Sequence, residues 1–209
     1  MRTGTMFFGR VDALAGEAIE TKFLVIGVPL LPLGSYYLTN GRQGIAIPLH
    51  GKSVLLGYAR IGLWIGAVVW GLIAYVSKHY SDGPEVLVGP ALMLAAAGVL
   101  TFAVGGVSKA DQPRRLLLRT VAGLGAPPAI LSPDIRSEIQ DRLEKAWTAR
   151  GAGKPWRDAL KSASLKKDDA RWCFVLASYA QEPDLAERAW EKFSAGALHE
   201  GETEAPLHA

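Results

Sequence analysis

The sequence predicts a membrane protein of mixed α+β class, in which a small N-terminal β-domain precedes a two-helix transmembrane hairpin and a C-terminal all-α helical-hairpin domain. Residues 61–77 and 86–107 contain no charged residue, although 21% of the 209 residues are charged. Strand-like sequence precedes these segments, and charged, helix-forming sequence follows them. The predicted divisions are the β-domain, 1–52; the hairpin, 53–107; a basic juxtamembrane linker, 108–132; a tetratricopeptide-like helical domain, 133–196; and a polar tail, 197–209.

The β-domain is predicted from its strand signals. Residues 35–47 flank Asn40-Gly41, a dipeptide that favours a tight hairpin turn. Residues 5–11 and 18–25 are rich in the β-branched and aromatic residues that strands prefer.

The apolar stretch 23–34 is too short to span a bilayer, and Pro29 and Pro32 would break a helix there. We interpret it as the inner face of a β-domain that rests on the membrane surface. A re-entrant loop is the alternative interpretation.

The stretch FFGRVDALAGEAIETKFLVIGVPLLPLGSYYL resembles the N-terminal part of a group of small, uncharacterised bacterial membrane proteins. The matching residues are Gly9, Arg10, Val11, Asp12, Gly16, Thr21, Phe23, Pro29, Leu30, Pro32 and Ser35. The resemblance covers roughly the first 40 residues. It implies a membrane-protein architecture and brings no catalytic residue with it.

Two helical spans are predicted, at about 54–77 and 86–107. The second has 22 uncharged residues, roughly 33 Å of helix against a hydrocarbon core of about 30 Å. The first contains Arg60, whose long stem can reach the headgroups from a position close to the helix start. We predict that Arg60 marks the membrane edge, with Tyr58 and Trp64 beside it in an aromatic belt; a functional buried charge is the alternative.

The loop 78–85 is so short that the spans must be antiparallel. Basic residues cluster on the other side of the spans, and the loop offers Lys78 alone; the clustered residues are Arg42, Lys52, Arg60, Lys109, Arg114, Arg115 and Arg119. The positive-inside rule then predicts that both termini are cytoplasmic in a bacterial inner membrane.

Small residues recur four positions apart in both spans, which lets helix backbones approach closely. They are Gly62, Gly66, Ala67, Gly71, Ala91 and Ala95. They are expected either to pack the hairpin against itself or also to dock a neighbouring membrane protein. In the linker, Arg114, Arg115 and Arg119 bracket three leucines, which suits either a positive flank or a helix lying on anionic lipids.

The C-terminal domain is predicted to hold four helices. They begin at Ser132-Pro133, after Pro155, near Lys167 and at Pro183. The residues expected on their inner faces are Ile139, Leu143, Trp147, Trp156, Leu160, Trp172, Val175, Leu176, Tyr179, Leu185, Ala189 and Phe193. A pattern D-x-x-E-[KR]-A-W at 141–147 recurs at 184–190 and, with the order of aromatic residues, resembles a tetratricopeptide repeat.

The sequence is poor in the features that catalysis needs. Residues 46–53, AIPLHGKS, fit a loose phosphate-binding loop, but Pro48 removes an amide and a span follows at once. The four histidines lack partners at metal-ligand spacing, and Cys173 lies between aromatic residues as a buried small hydrophobe.

We therefore expect a non-catalytic accessory or scaffolding subunit of a larger inner-membrane complex. Its spans would contact a core subunit, its cytoplasmic helices a further partner, and its basic flanks the bilayer and its anionic lipids. Nucleic acid is not expected, since the net charge of +3 comes from clusters near the spans. Cofactors and metals are not expected either. A small homo-oligomeric channel or transport component is the alternative.

Overall fold

The computed structural model describes residues 3–26, 28–39, 43–77, 88–102, 105–150, 154–162 and 165–203. The chain divides into two compact units, Met1–Gln112 and Pro113–Ala209. Among the described residues the first unit contains a four-stranded antiparallel sheet and two helices, and the second contains helices. The fold is mixed α+β, as predicted.

The sheet is an antiparallel meander in chain order. Its strands are β1 (Thr3–Leu14), β2 (Glu17–Ile26), β3 (Val28–Thr39) and β4 (Gln43–Ile47). The predicted hairpin over 35–47 is confirmed, since Ser35 pairs with Ile47 and Thr39 with Gln43. Its Asn40-Gly41 turn lies outside the described residues.

The described residues of the apolar stretch 23–34 form the end of β2 and the start of β3. Pro29 and Pro32 are tolerated because β4 pairs with β3 from Ser35 onward, so the prolines lie where β3 is an edge strand. Leu31 and Leu33 are 58% and 55% exposed, so the prediction of a continuous inner face was wrong for these residues.

One face of the sheet forms the core of the first unit. Ile19, Thr21 and Phe23 alternate along β2 and are all fully buried, as the two-residue period of a strand requires. On β3, Tyr37 is buried and its hydroxyl donates to Glu17 Oε2 at 2.7 Å. The same face receives the beginning of the first helix.

The two helices of the first unit are α1 (Gly51–Ser77) and α2 (Val88–Phe102). They are antiparallel, since Met93 lies beside Gly66 and Gly89 lies beside Trp70. α2 has 15 residues within the predicted span 86–107. The predicted loop 78–85, together with residues 86, 87, 103 and 104, lies outside the described residues.

Five helices follow: α3 (Gln112–Ala122), α4 (Pro133–Ala149), α5 (Trp156–Lys161), α6 (Lys167–Tyr179) and α7 (Pro183–Thr203). The four helices predicted after Ser132 are therefore present. Two boundaries differ from the prediction. α3 occupies part of the predicted linker, because its Leu117, Leu118 and Ala122 form a buried face; α7 continues into the predicted polar tail.

α6 is the central helix of the second unit. It is buried on most sides, through Ala170, Cys173, Phe174, Val175, Leu176, Ala177 and Tyr179. Gln181 ends it with a φ of +57°, and the Glu182 N–H donates to Ala177 O at 3.0 Å. This is the hydrogen bond of a Schellman turn. The turn allows α7 to return directly along α6.

Candidate membrane interface

α1 exposes an apolar surface over most of its length. Gly51–Val76 is long and apolar enough to cross a membrane, and 11% of its most hydrophobic window is buried. Val68, Leu72 and Tyr75 are 68%, 65% and 69% exposed. The core helix of a water-soluble protein would bury such side chains, because exposing them to water is unfavourable. On α2, Leu92 is 66% exposed.

Gly66 lies where α1 and α2 meet, and its neighbour Ala67 is buried; both belong to the predicted small residues. A Cβ atom on Gly66 would lie 3.3 Å from the Met93 sulfur. Ala67 is 4% exposed. Ala74 on α1 and Ala97 on α2 are also almost fully buried and were not predicted. Ala74 follows Ala67 by seven residues, the spacing of one face over two turns, and this signal would have identified it.

For the other predicted packing residues, the described part of the chain gives no such contact. A Cβ atom on Gly62 or Gly71 would meet no described atom within 4 Å. Ala91 and Ala95 are exposed on α2. Four-residue spacing marks several faces of a helix equally well, so sequence spacing did not determine which face is covered.

A chain of buried hydroxyl groups fixes α1 against the sheet. Ser53 Oγ donates to Gly9 O at 2.7 Å and accepts from Thr21 Oγ1 at 2.9 Å. Because each hydroxyl has one proton, Ser35 Oγ must donate to Thr21 Oγ1, at 2.9 Å. Ser35 Oγ in turn accepts from the His50 N–H at 2.9 Å. All three side chains are fully buried, so the network satisfies polar groups that would otherwise be costly to bury.

Glycines allow the backbones of the sheet and α1 to approach. Gly9 has a φ of +73°, and a Cβ atom there would lie 1.9 Å from Ser53 O. A Cβ atom on Gly57 would lie 3.1 Å from the Phe23 ring. After α2, Gly105 O accepts from the Ala13 N–H at 2.8 Å. β1 therefore contacts α1 directly and hydrogen-bonds the chain that follows α2.

Three residues of α1 were predicted at the membrane edge: Tyr58, Arg60 and Trp64. Tyr58 and Arg60 contact the sheet, and Trp64 lines a groove beside β1. Arg60 Nη1 donates to Arg10 O at 3.2 Å, which draws the guanidinium toward β1. The Tyr58 ring packs edge-on against Phe23, with centroids 5.3 Å apart. Trp64 is 45% exposed. Whether these residues meet lipid headgroups stays a prediction.

A groove of about 310 Å³ separates β1 from α1. Its apolar lining residues are Phe7, Phe8, Ile61 and Trp64. Its charged lining residues are Arg10, Glu20 and Arg60. The groove thus combines aromatic surface with two positive charges and one negative charge. None of the sequence patterns grouped these residues, because they come together through strand pairing and helix docking.

The basic residues of α3 lie in the helical unit. Arg114 Nη2 donates to Glu187 Oε1 at 2.8 Å and its guanidinium lies 5.0 Å from the centre of the Trp190 ring. Arg115 and Arg119 are half-buried. Arg114 thus has partners on α7, and the predicted role of the three arginines at the bilayer remains untested.

The loop between β4 and α1 does not have the geometry of a phosphate-binding loop. The hydroxyl group that would bind magnesium, on Ser53, is buried and donates to Gly9. Lys52 Nζ lies 3.6 Å from Asp12 Oδ1. The Ser53 N–H faces His50 Nδ1 at 3.3 Å, a contact that caps α1.

Cys173 is the buried small residue that the sequence predicted. Its side chain is fully buried, and its thiol donates to Trp156 O at 3.6 Å. Burial raises the pKa of the thiol to about 12, with a smaller contribution from Asp169. Within the described residues, no group of three or more His, Cys, Asp or Glu side chains is arranged to hold a metal ion.

Comparison with protein-family models, with curated proteins and with solved structures found no match for this chain.

Proposed function

We propose that this chain is a non-catalytic accessory or scaffolding subunit of a larger bacterial inner-membrane complex. α1 and the segment containing α2 form its two spans, with both termini cytoplasmic. The observation that carries the proposal is the apolar surface of α1, of which little is covered by the described part of the chain.

The membrane placement is supported by the length and exposure of α1. Residues 61–77 correspond to roughly 25 Å of helix, close to the thickness of a hydrocarbon core. Arg60 precedes them, at the depth where a long cationic side chain reaches the headgroups. α2 packs antiparallel on the same helix, and its exposed Leu92 and Val99 suit a lipid environment.

A partner within the membrane is supported by the small residues that the hairpin leaves uncovered. Ala91 and Ala95 lie on one exposed face of α2, four residues apart. In lipid, helix association depends on close packing at such residues rather than on the hydrophobic effect. This face therefore suits a helix of a core subunit better than it suits lipid alone.

A soluble partner is supported by the character of the second unit. It is a small helical unit with half-buried aromatic residues, such as Trp172 and Trp190, each beneath an arginine. Tryptophan and arginine are enriched in protein–protein contacts. Helical-hairpin units commonly bind proteins, although the fold alone does not establish this role.

The test is to extract native membranes in mild detergent, isolate the tagged chain and identify the co-migrating proteins. We expect a stoichiometric larger complex, lost in an Ala91→Leu/Ala95→Leu variant and kept in Val68→Leu, which enlarges an exposed α1 position that is already bulky. A homo-oligomer free of other chains would reject the accessory role and favour a channel. Release of the chain by alkaline carbonate would reject the membrane placement itself.

A further inference from the structure

The groove between β1 and α1 has an amphiphilic lining that the accessory role does not use. The lining includes the aromatic rings of Phe7, Phe8 and Trp64, with Phe7 43% and Trp64 45% exposed. It also includes the side chains of Arg10 and Arg60. An occupant that complements this lining has a charged head and a hydrocarbon tail.

The charges of the groove favour an anionic head. Arg10 Nε lies 3.9 Å from Glu20 Oε1, beyond hydrogen-bonding distance, and its side chain is 55% exposed. Exposed ion pairs of this kind contribute little and are easily exchanged. The two guanidinium groups outweigh the single carboxylate, so one bound negative charge neutralises the groove. Guanidinium groups bind phosphate oxygens through paired hydrogen bonds.

The order of the lining along α1 matches the order of groups in a bilayer. Ile61 and Trp64 follow Arg60 by one and four residues, which places Trp64 roughly 6 Å farther into the proposed span. Arg60 therefore lies at the level of the headgroups, and Ile61 and Trp64 lie at the level of the upper acyl chains. This step rests on the membrane placement proposed above.

We propose that the groove binds one anionic phospholipid, with its phosphate between Arg10 and Arg60 and an acyl chain along Ile61 and Trp64. The site differs from a general positive flank because it has a shaped apolar wall. A zwitterionic lipid would bring no net charge to a lining of two arginines and one glutamate. Free phosphate would leave the aromatic wall unused.

The experiment is native mass spectrometry of the purified full chain after exchange into nanodiscs that contain equal amounts of phosphatidylglycerol and phosphatidylcholine. We expect one retained phosphatidylglycerol per chain. Arg10→Gln should reduce its retention about five- to tenfold, the effect of losing one charge-assisted hydrogen bond. Lys52→Gln removes a neighbouring exposed cation outside the groove and should leave retention unchanged. Arg10 is the preferred test residue because its backbone carbonyl still accepts from Arg60 after the substitution.

Several results would overturn the proposal. Equal retention of the two lipids, equal loss in the Arg10→Gln and Lys52→Gln variants, or displacement of the lipid by millimolar inorganic phosphate would each reject an anionic lipid site. These results would leave the accessory role standing if the chain still co-purifies with a complex. Extraction of the chain by carbonate would instead reject the membrane placement and, with it, the lipid site.

Discussion

The two units of this protein place their apolar and polar groups in opposite ways. Among the described residues, every large apolar side chain that is exposed belongs to the first unit, except Leu116. The same unit buries the hydroxyl groups of Thr21, Ser35 and Ser53. The second unit buries its apolar side chains around α6 and carries ion pairs on its surface, such as Arg157 with Glu182.

This difference in the placement of apolar and polar groups reflects how each unit is stabilised. The second unit is stabilised by burial of its apolar side chains, because removal of apolar surface from water drives folding. In the spans proposed for the first unit, that drive is weak. The position of α1 on the sheet is determined instead by close backbone contacts at glycine residues and by buried hydrogen bonds. Substitutions should therefore act through different mechanisms in the two units.

The largest effect is expected for Gly9→Ala. The new Cβ atom would lie 1.9 Å from Ser53 O at a backbone φ of +73°. Overpacking and left-handed strain together should cost about 3 kcal/mol or more. Thermal unfolding of the detergent-solubilised chain, followed by circular dichroism, measures the loss. Gly4→Ala is the control, since its Cβ would meet no atom within 4 Å. Equal stability of the two variants would show that α1 does not sit on β1 in this way.

Cys173 tests the packing of the second unit. The pKa of the Cys173 thiol is about 12 instead of 9.0, so its thiolate is about a thousandfold rarer at pH 8. Because the thiolate is the reactive form, maleimide labelling of the folded chain should be slower by about that factor than labelling of the urea-unfolded chain. The Cys173→Ala/Ser137→Cys variant supplies an exposed thiol for reference. Similar rates for native Cys173 and for this variant would contradict the buried position.

The same thiol makes stability depend on pH. Its folded-state pKa is raised, so its contribution is complete below the ordinary value of 9.0 and is lost as the pH rises toward 12. Urea unfolding between pH 8 and pH 11 should show this decline in the native chain and a smaller one in Cys173→Ala. An identical pH dependence of both chains would rule out the contribution.

Ser53→Ala should cost about 1–3 kcal/mol, because it leaves the Thr21 hydroxyl and the Gly9 carbonyl without their partner in a buried site. Ser178→Ala is the matched change in the second unit. Ser178 donates to Phe174 O within its own helix, so its loss should stay within about 0.5 kcal/mol. Chemical unfolding in detergent compares them. A larger loss in Ser178→Ala would refute the contrast between the units.

The smallest expected effect is stabilising. Gln181 has a φ of +57°, so Gln181→Gly should relieve strain and raise the stability of the second unit by about 1 kcal/mol. Ala180 has a φ of −71°, so there is no left-handed strain for glycine to relieve. Glycine there would only increase the conformational entropy of the unfolded chain. Ala180→Gly should therefore lower stability by about 0.5–1 kcal/mol. Changes of the same sign in both variants would contradict the Schellman turn.

Local patterns in the sequence determined the strands, most helix starts and the apolar character of α1. β-branched and aromatic content identified residues 18–25 as a strand, and Ser132-Pro133 identified the start of α4. These features depend on neighbours within a few residues, so a single sequence is enough to predict them.

Tertiary structure alone decided which faces meet. It buried Ala74 and Ala97, left Ala91 and Ala95 exposed, formed α3 within a predicted linker, and joined Ser53 to Thr21 across 32 residues. The physical reason is that small residues and hydroxyl groups fit several environments equally well in a sequence. Their environment depends on the partner that strand pairing and helix docking bring to them, and that partner is distant along the chain.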